Sequence, residues 1–226
     1  MIDLARDESG GLPVGSSGIG ALGISGAAGL ERSREVGEAS DVILFHGNGL
    51  TRQTYYDRIK TIQSWNLDKP IVCNEDSPCF SRLNVALQTG TSWGYYKNHT
   101  KQDVPADWGI TPGEDTFFAN RMAQLIGLEV EPLLEGEEYY LQGLEPHLVQ
   151  DGKRWIRLAA MHPEKVDFVE YYRNGILVDV AYDEPFYPDY VTTWIQKPMH
   201  ITSDDKEFSV RVVQGDGKEI TKTVRL

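Results

Sequence analysis

The chain has 226 residues, of which 40% are hydrophobic and 25% charged, as expected of an ordinary globular protein with one large or two modest domains. Its formal net charge of -12 argues against binding to nucleic acid, because acidic side chains repel phosphates. Two cysteines do not make a disulfide framework, no His/Cys cluster has zinc spacing, and no apolar run approaches the roughly 20 residues that cross a bilayer. We therefore expect no metal, no cofactor and no membrane span.

The first predicted element is an amphipathic helix over residues 2–8, which ends at Ser9 and two glycines. The helix starts directly after Met1, without a capping residue, a lead-in or a signal peptide. A domain that opens within a helix predicts a truncated amino terminus.

Residues 15–29 are rich in glycine, and residues 18–23 satisfy the dinucleotide-binding pattern G-x-G-x-x-G after a weak predicted strand at residues 12–14. The residues that follow form a poor helix, since each glycine costs about 1 kcal/mol relative to alanine. Asp41 begins a strand, whereas the cofactor-binding acid should end one. A nucleotide-dependent α/β enzyme is thus one alternative.

From residue 12 to about residue 128, short apolar strands alternate with helical segments, which is the pattern of a parallel sheet. In the helix predicted at residues 51–65, Tyr55, Ile59 and Ile62 share one face. The other predicted segments are strands at residues 12–14, 41–45 and 71–73, an aromatic end at residues 91–96, and helical segments at residues 30–39, 84–89 and 115–126, the last with a threonine cap at Thr111.

The strand Ile71–Cys73 stops abruptly at Asn74, Glu75 and Asp76. Its apolar run fits a parallel strand with both faces covered. Acidic side chains at the carboxyl end of such a strand project into the crevice where α/β proteins place their chemistry. Successive strand residues point to opposite faces, so Glu75 and Asp76 are not expected to act together. A polar loop that carries no function is the alternative.

The predicted strands end, in order, at Gly15–Ser17, His46–Asn48, Asn74–Asp76 and Ser92–Tyr95. This series resembles strands five to eight of the (β/α)8 barrel, or TIM barrel, of the clan-A glycoside hydrolases. In that clan the seventh strand ends in a nucleophilic glutamate, and the eighth often ends in a tryptophan beneath the sugar.

The resemblance implies that Glu75 is the nucleophile of a retaining hydrolase that cleaves an oligo- or polysaccharide. It further implies that His46, Asn48, Asn74, Trp93 and Tyr95 bind the carbohydrate. Retaining hydrolysis needs a second carboxyl group about 5–5.5 Å from the first. In the clan this acid/base glutamate ends strand four, for which the chain has no counterpart.

A complete barrel takes about 250 residues, so residues 1–131 are predicted to be only the second half of one. This half is expected to be inactive alone and to need the missing amino-terminal half as its partner.

After Pro132 the sequence changes to short strands separated by turns such as Asn174–Gly175. Segment 169–178 and Glu184–Phe186 resemble bacterial immunoglobulin-like modules, which commonly trail secreted or periplasmic glycosidases. Residues 132–226 are therefore expected to be an immunoglobulin-like β-sandwich of a secreted or periplasmic protein. The predicted strands lie at residues 139–141, 155–158, 166–172, 176–181, 191–195, 208–213 and 220–224.

A second alternative keeps the same residues but not the reaction. In it, the protein binds carbohydrate, or acts at a cell surface, without catalysis. Glu75 separates the two hypotheses, because a hydrolase requires its carboxylate whereas a binding protein tolerates an amide there.

Overall fold

The computed structural model describes residues 1–16, 27–95, 110–145, 152–193 and 196–226. The chain divides into two compact units, Met1–Tyr96 and Lys97–Leu226. The glycine pattern at residues 18–23, on which the nucleotide hypothesis rests, lies outside the described residues. None of the helices in the described part of the chain has the length and apolar character of a membrane-spanning segment.

The first unit is built around a three-stranded parallel sheet in the order β1-β2-β3. A helix follows each of the first two strands, so the predicted alternation of strands and helices is confirmed there. The elements are α1 (Ile2–Glu8), α2 (Ala27–Ala39), β1 (Ile43–His46), α3 (Arg52–Gln63), β2 (Ile71–Glu75), α4 (Ser81–Thr89) and β3 (Ser92–Trp93).

The prediction of a strand at residues 12–14 is wrong, because this segment does not pair with any strand among the described residues. Instead, Val14 exchanges two hydrogen bonds with Asp41: its carbonyl accepts from the Asp41 amide at 2.8 Å, and its amide donates to Asp41 Oδ2 at 2.9 Å. Arg6 of α1 also donates to the Asp41 carboxylate. The described strands of this unit do not close into a barrel.

Apolar spacing explains how the helices cover the sheet. Tyr55, Ile59 and Ile62 are the buried residues of α3, as their spacing predicts. Ile43 and Phe45 of β1 are also buried. A capping box starts α3: the Thr51 hydroxyl accepts from the Thr54 amide at 3.2 Å, and Thr54 Oγ1 accepts from the Thr51 amide at 2.8 Å.

The second unit is mostly antiparallel. Its largest sheet has four strands in the order β11-β10-β7-β8, and two further pairs are β4-β6 and β5-β9. The elements are α5 (Glu114–Leu125), β4 (Tyr139–Gln142), β5 (Lys153–Arg154), β6 (Arg157–Ala160), β7 (Val166–Arg173), β8 (Ile176–Ala181), β9 (Met199–His200), β10 (Glu207–Gln214) and β11 (Glu219–Arg225).

Strict alternation builds the core of this unit. Phe208, Val210 and Val212 of β10 are fully buried, together with Val169 and Tyr171 of β7. These two strands are antiparallel neighbours, with Val212 opposite Val169 and Val210 opposite Tyr171. One face of the large sheet therefore forms the core, as period-two patterning requires.

One strand prediction in this unit is wrong, and another strand was not predicted. Residues 191–193 form no strand, and residues 194–195 lie outside the described residues. A short strand at Met199–His200 pairs instead with Lys153–Arg154. Residues of high β propensity form a strand only where a partner edge is available, and a single sequence does not reveal that edge.

Helix α5 packs within the second unit. Glu114 forms an ion pair with Arg157 of β6, and Arg121 Nη1 donates to the Met161 carbonyl at 3.0 Å. The division after Tyr96 therefore precedes the boundary predicted near residue 131. The cap of α5 also differs from the prediction, since its N-cap is Gly113 rather than Thr111.

Candidate functional site

Polar side chains meet where β1 and β2 end. The two strands run in register from Ile43 opposite Ile71 to Phe45 opposite Cys73, and the register then shifts so that His46 lies opposite Glu75. The irregularity skips Asn74, which is exposed. Because both strands are parallel, their last residues lie at the same edge of the sheet.

Glu75 has two polar neighbours from the β1 end. Asn48 Nδ2 donates to Glu75 Oε1 at 2.9 Å, and His46 Nε2 lies 3.5 Å from Glu75 Oε2. The Glu75 side chain is 38% exposed, compared with 16% for His46. The structure thus brings three predicted site residues together around a carboxylate that solvent can reach.

The Asn48 amide is itself held in place. Ser77 Oγ donates to Asn48 Oδ1 at 3.4 Å, which directs the amide nitrogen of Asn48 toward Glu75. The Gly47 amide donates to the Glu75 carbonyl at 2.8 Å and ties the two strand ends together. Asn48 is largely buried, so bulk water competes little for the hydrogen bond that its amide donates to Glu75.

Asp76 has a different environment from its neighbour. It is fully buried, accepts from Trp93 Nε1 at 2.7 Å and from the Ser77 amide at 2.7 Å, and pairs with Arg82. Burial raises the pKa of the Asp76 carboxyl above its usual range, while Arg82 and the hydrogen bonds oppose that rise. Glu75 and Asp76 therefore serve different contacts, as strand alternation predicts.

The predicted sugar-packing tryptophan lies within the protein core. Trp93 is 7% exposed and lies opposite Cys73 in the parallel pairing of β2 and β3. It packs edge-on against the Phe80 ring, with ring centroids 6.1 Å apart. Its indole stacks on half-buried Tyr95, with ring centroids 5.5 Å apart. This placement gives Trp93 a packing contact and a hydrogen bond to Asp76 instead of an open face for a sugar.

Two other chemistries, at a thiol and at a metal ion, have less support at this edge of the sheet. Burial raises the pKa of the Cys73 thiol far above its ordinary value, so this cysteine is a buried neutral group. Within the described ranges, no group of three His, Cys, Asp or Glu residues is placed to hold a metal ion.

Sequence reasoning missed Arg82 and Ser77. One signal was present: Arg82 interrupts a helical segment in which Leu83, Val85 and Ala86 are buried. A charged residue among buried positions needs a buried partner. The identity of that partner, Asp76, depends on the tertiary fold.

Comparisons with known proteins find only weak similarity. No protein-family model matches the chain, and no curated protein matches it significantly in sequence. Among solved structures, a glycosyl hydrolase family 2 member from Bacteroides cellulosilyticus DSM 14838 is similar with a TM-score of 0.43 and 11% identity, over 99% of this chain and 30% of that one.

The beta-glucuronidase of Parabacteroides merdae is also similar, with a TM-score of 0.26 and 11% identity, over 99% of this chain and 44% of that one. A second structure of that enzyme, with glycerol in its active site, gives 0.25 and 10% over 99% and 42%. This chain thus spans less than half the length of each of these three structures. At these TM-scores the likeness does not establish a shared fold.

Proposed function

We propose that the carboxyl end of β2 carries the nucleophile of a retaining glycoside hydrolase, and that Glu75 is this nucleophile. One observation carries the proposal: a solvent-accessible carboxylate at the end of a parallel strand accepts a 2.9 Å hydrogen bond from a largely buried amide, that of Asn48. Such a bond holds the carboxylate in one orientation, which a nucleophile in a substitution reaction requires.

Each neighbour of Glu75 receives a role in this proposal. Asn48 orients the carboxylate, and His46 contacts its second oxygen or a sugar hydroxyl. Asn74 is exposed beside Glu75 and contacts the carbohydrate. Trp93 and Tyr95 contribute mainly by packing behind the site, since the indole of Trp93 is buried.

In this proposal the acid/base carboxyl is missing from this chain and is supplied by the other half of the barrel. Asp76 is unsuitable because Arg82, Trp93 and Ser77 already engage it in the interior. In this proposal the parallel sheet and helices of the first unit, Met1–Tyr96, belong to the second half of a (β/α)8 barrel that needs its other half for turnover. The parallel order β1-β2-β3, with a helix after each of the first two strands, fits such a segment.

Residues 132–226 are proposed to be an immunoglobulin-like module of a secreted or periplasmic bacterial glycosidase that acts on a carbohydrate. The four-stranded antiparallel sheet, with one face in the core, supports this assignment.

The test uses reagents that need no acid/base. In dinitrophenyl 2-fluoroglycosides the leaving group is acidic enough to depart without a proton. A Glu75 oxygen bonds to the anomeric carbon as the bond to dinitrophenolate breaks, and dinitrophenolate leaves with the electron pair. The fluorine slows hydrolysis of the resulting ester, so the covalent glycosyl-protein accumulates.

The full chain is incubated with a panel of these glycosides that differ in the sugar, and peptides are analysed by mass spectrometry. We expect one sugar adduct on the peptide that contains Glu75, lost in Glu75→Gln and retained in the exposed control Glu31→Gln. An adduct that persists in Glu75→Gln, or the absence of any adduct across the panel, contradicts the nucleophile assignment.

A carbohydrate-binding role without catalysis is the second candidate. It is favoured by the burial of Asp76, the adjacent carboxylate, behind three hydrogen-bond partners. In this case Glu75→Gln keeps its affinity for oligosaccharides, because an amide also hydrogen-bonds hydroxyl groups. Titration of the native chain and this variant with an oligosaccharide panel, followed by backbone amide NMR signals, measures this affinity. Equal affinities together with the absence of a covalent adduct support the binding role.

A further inference from the structure

Arg82 is one of the most deeply buried side chains of the first unit, with 1% exposure. It is the second residue of α4, beside buried Ser81 and Leu83. A buried guanidinium is tolerated only when its donors find acceptors, so its contacts show what it holds in place.

The acceptors of Arg82 come from both strand ends. Nη1 donates to the Gly47 carbonyl at 2.9 Å and to Asp76, and Nη2 donates to the Leu50 carbonyl. The guanidinium carbon lies 5.5 Å from the centre of the Tyr55 ring. One planar group thus joins the segment after β1 to the segment after β2, which the single ammonium of a lysine does not reproduce.

Asp76 is fixed from a third direction. Trp93 of β3 donates to Oδ2 at 2.7 Å, and the Ser77 amide donates to Oδ1 at 2.7 Å. With Arg82 as the third donor, the carboxylate has little freedom to move.

Gly47 lies directly against this carboxylate. A Cβ atom at position 47 would lie 2.4 Å from Asp76 Oδ2, closer than side-chain carbons approach other atoms. The absence of a side chain therefore lets the backbone pass Asp76. The next residue, Asn48, then reaches Glu75 with its amide.

From these contacts we infer that Asp76 and Arg82 form a positioning pair, which fixes residues 47–50 so that Asn48 donates to Glu75. The inference rests on the proposed function for its catalytic meaning, but the geometric claim concerns only the Asn48–Glu75 contact. In a hydrolase, a displacement of about 1 Å at a reacting group costs on the order of 10²-fold in rate.

The test observes the Asn48 side-chain amide by NMR in the full chain. In the native background, Glu75→Gln removes the charged acceptor and shifts the Asn48 Nδ2 proton signals. In the Arg82→Lys background we expect this response to be lost, because the loop no longer holds Asn48 against residue 75. Arg34→Lys, at an exposed helix position, is the matched control and keeps the response.

A second variant guards against a failure of Arg82→Lys to fold. Gly47→Ala pushes the loop away from Asp76 and should also abolish the response of Asn48 to Glu75→Gln. Gly94→Ala is its control, since among the described residues an added Cβ there meets only the Cys73 carbonyl, at an ordinary 3.7 Å. An undiminished response in folded Arg82→Lys or folded Gly47→Ala overturns the positioning role.

The covalent labelling experiment separates this inference from the proposed function. Loss of the Asn48 response without any sugar adduct in the native chain leaves the positioning pair intact and removes the nucleophile role. A normal adduct at Glu75 together with an undiminished Asn48 response supports the nucleophile role and overturns the positioning pair. If both proposals hold, Arg82→Lys lowers the labelling rate by about 10²-fold.

Discussion

Each unit of the protein contains a buried arginine–carboxylate pair, but the two pairs differ in how fully the carboxylate is engaged. In the first unit, Arg82 and Asp76 have side-chain exposures of 2% and 0%. In the second unit, Arg157 and Glu114 have exposures of 5% and 0%. The residue types and burial are nearly the same, so the comparison isolates the hydrogen bonds around each carboxylate.

Both oxygens of Asp76 accept hydrogen bonds, from Arg82 and Ser77 on one side and from Trp93 on the other. Glu114 uses Oε2 for Arg157, whereas its Oε1 has no hydrogen-bond partner within the described residues. The first carboxylate is saturated, and the second is only half satisfied.

The second pair has a different structural task. Arg157 Nε donates to Gln142 Oε1 at 2.6 Å, and Gln142 Nε2 donates to the Pro112 carbonyl at 2.9 Å. This chain of contacts joins the start of α5 to β4 and β6. Because a buried pair brings little net stability over apolar packing, we attribute the first pair to site geometry and the second to helix placement.

The largest expected effect is that of Asp76→Asn, which tests the saturated carboxylate. In either orientation the amide sets an N–H group against a donor, and Arg82 loses its charge partner. We expect the free energy of unfolding of the first unit to fall by about 3–5 kcal/mol. Urea unfolding followed by amide signals of that unit measures this loss, and the exposed variant Asp68→Asn is the control; equal losses in the two variants would contradict saturation.

Glu114→Gln is expected to cost less, about 1–3 kcal/mol, because the amide oxygen keeps Arg157 and the nitrogen takes the position of an oxygen that has no partner. The same measurement on signals of the second unit gives the value, with exposed Glu131→Gln as control. A loss as large as that of Asp76→Asn would remove the distinction between the two pairs.

A third ion pair, between partly exposed Arg173 and buried Asp205, extends the comparison to the pH dependence of stability. Hydrogen bonds from Arg173 hold the pKa of Asp205 well below its ordinary value of 3.8, against the opposing effect of burial. Since the folded pKa is depressed, the contribution to stability is present above about pH 4 and is lost as the pH falls toward the folded value.

We therefore expect the unfolding free energy of the second unit to fall below pH 4, and Asp205→Asn to remove part of that fall. The unfolding free energy measured from pH 7 to pH 2 provides the check. The neighbouring exposed variant Asp204→Asn should follow the native profile; an unchanged profile in Asp205→Asn would count against the ion pair.

The smallest expected effect concerns the helix caps. Thr51 caps α3 through its side chain, whereas α5 begins at Gly113 without a side-chain cap. Thr51→Ala should destabilise the first unit by about 1 kcal/mol, and Thr51→Ser should restore most of the loss. If Thr51→Ser loses as much stability as Thr51→Ala, the hydroxyl of Thr51 does not act as a cap.

The sequence by itself determined the local elements. Apolar spacing predicted the buried face of α3, and the turn at Asn174–Gly175 marked the start of the strand Ile176–Ala181 with the bounds that the structure has. The predicted helix at residues 2–8 is also formed as Ile2–Glu8. These patterns depend on residues within one or two turns of each other, so a single chain displays them directly.

The candidate site was predicted only in part. The strand end named Glu75, His46 and Asn48, but the buried positions of Trp93 and Arg82 came from the fold. Asn48 and Glu75 are 27 residues apart, and Trp93 and Asp76 are 17 apart. Contacts across such distances depend on strand register and helix packing, which burial and pairing decide together and local composition does not record.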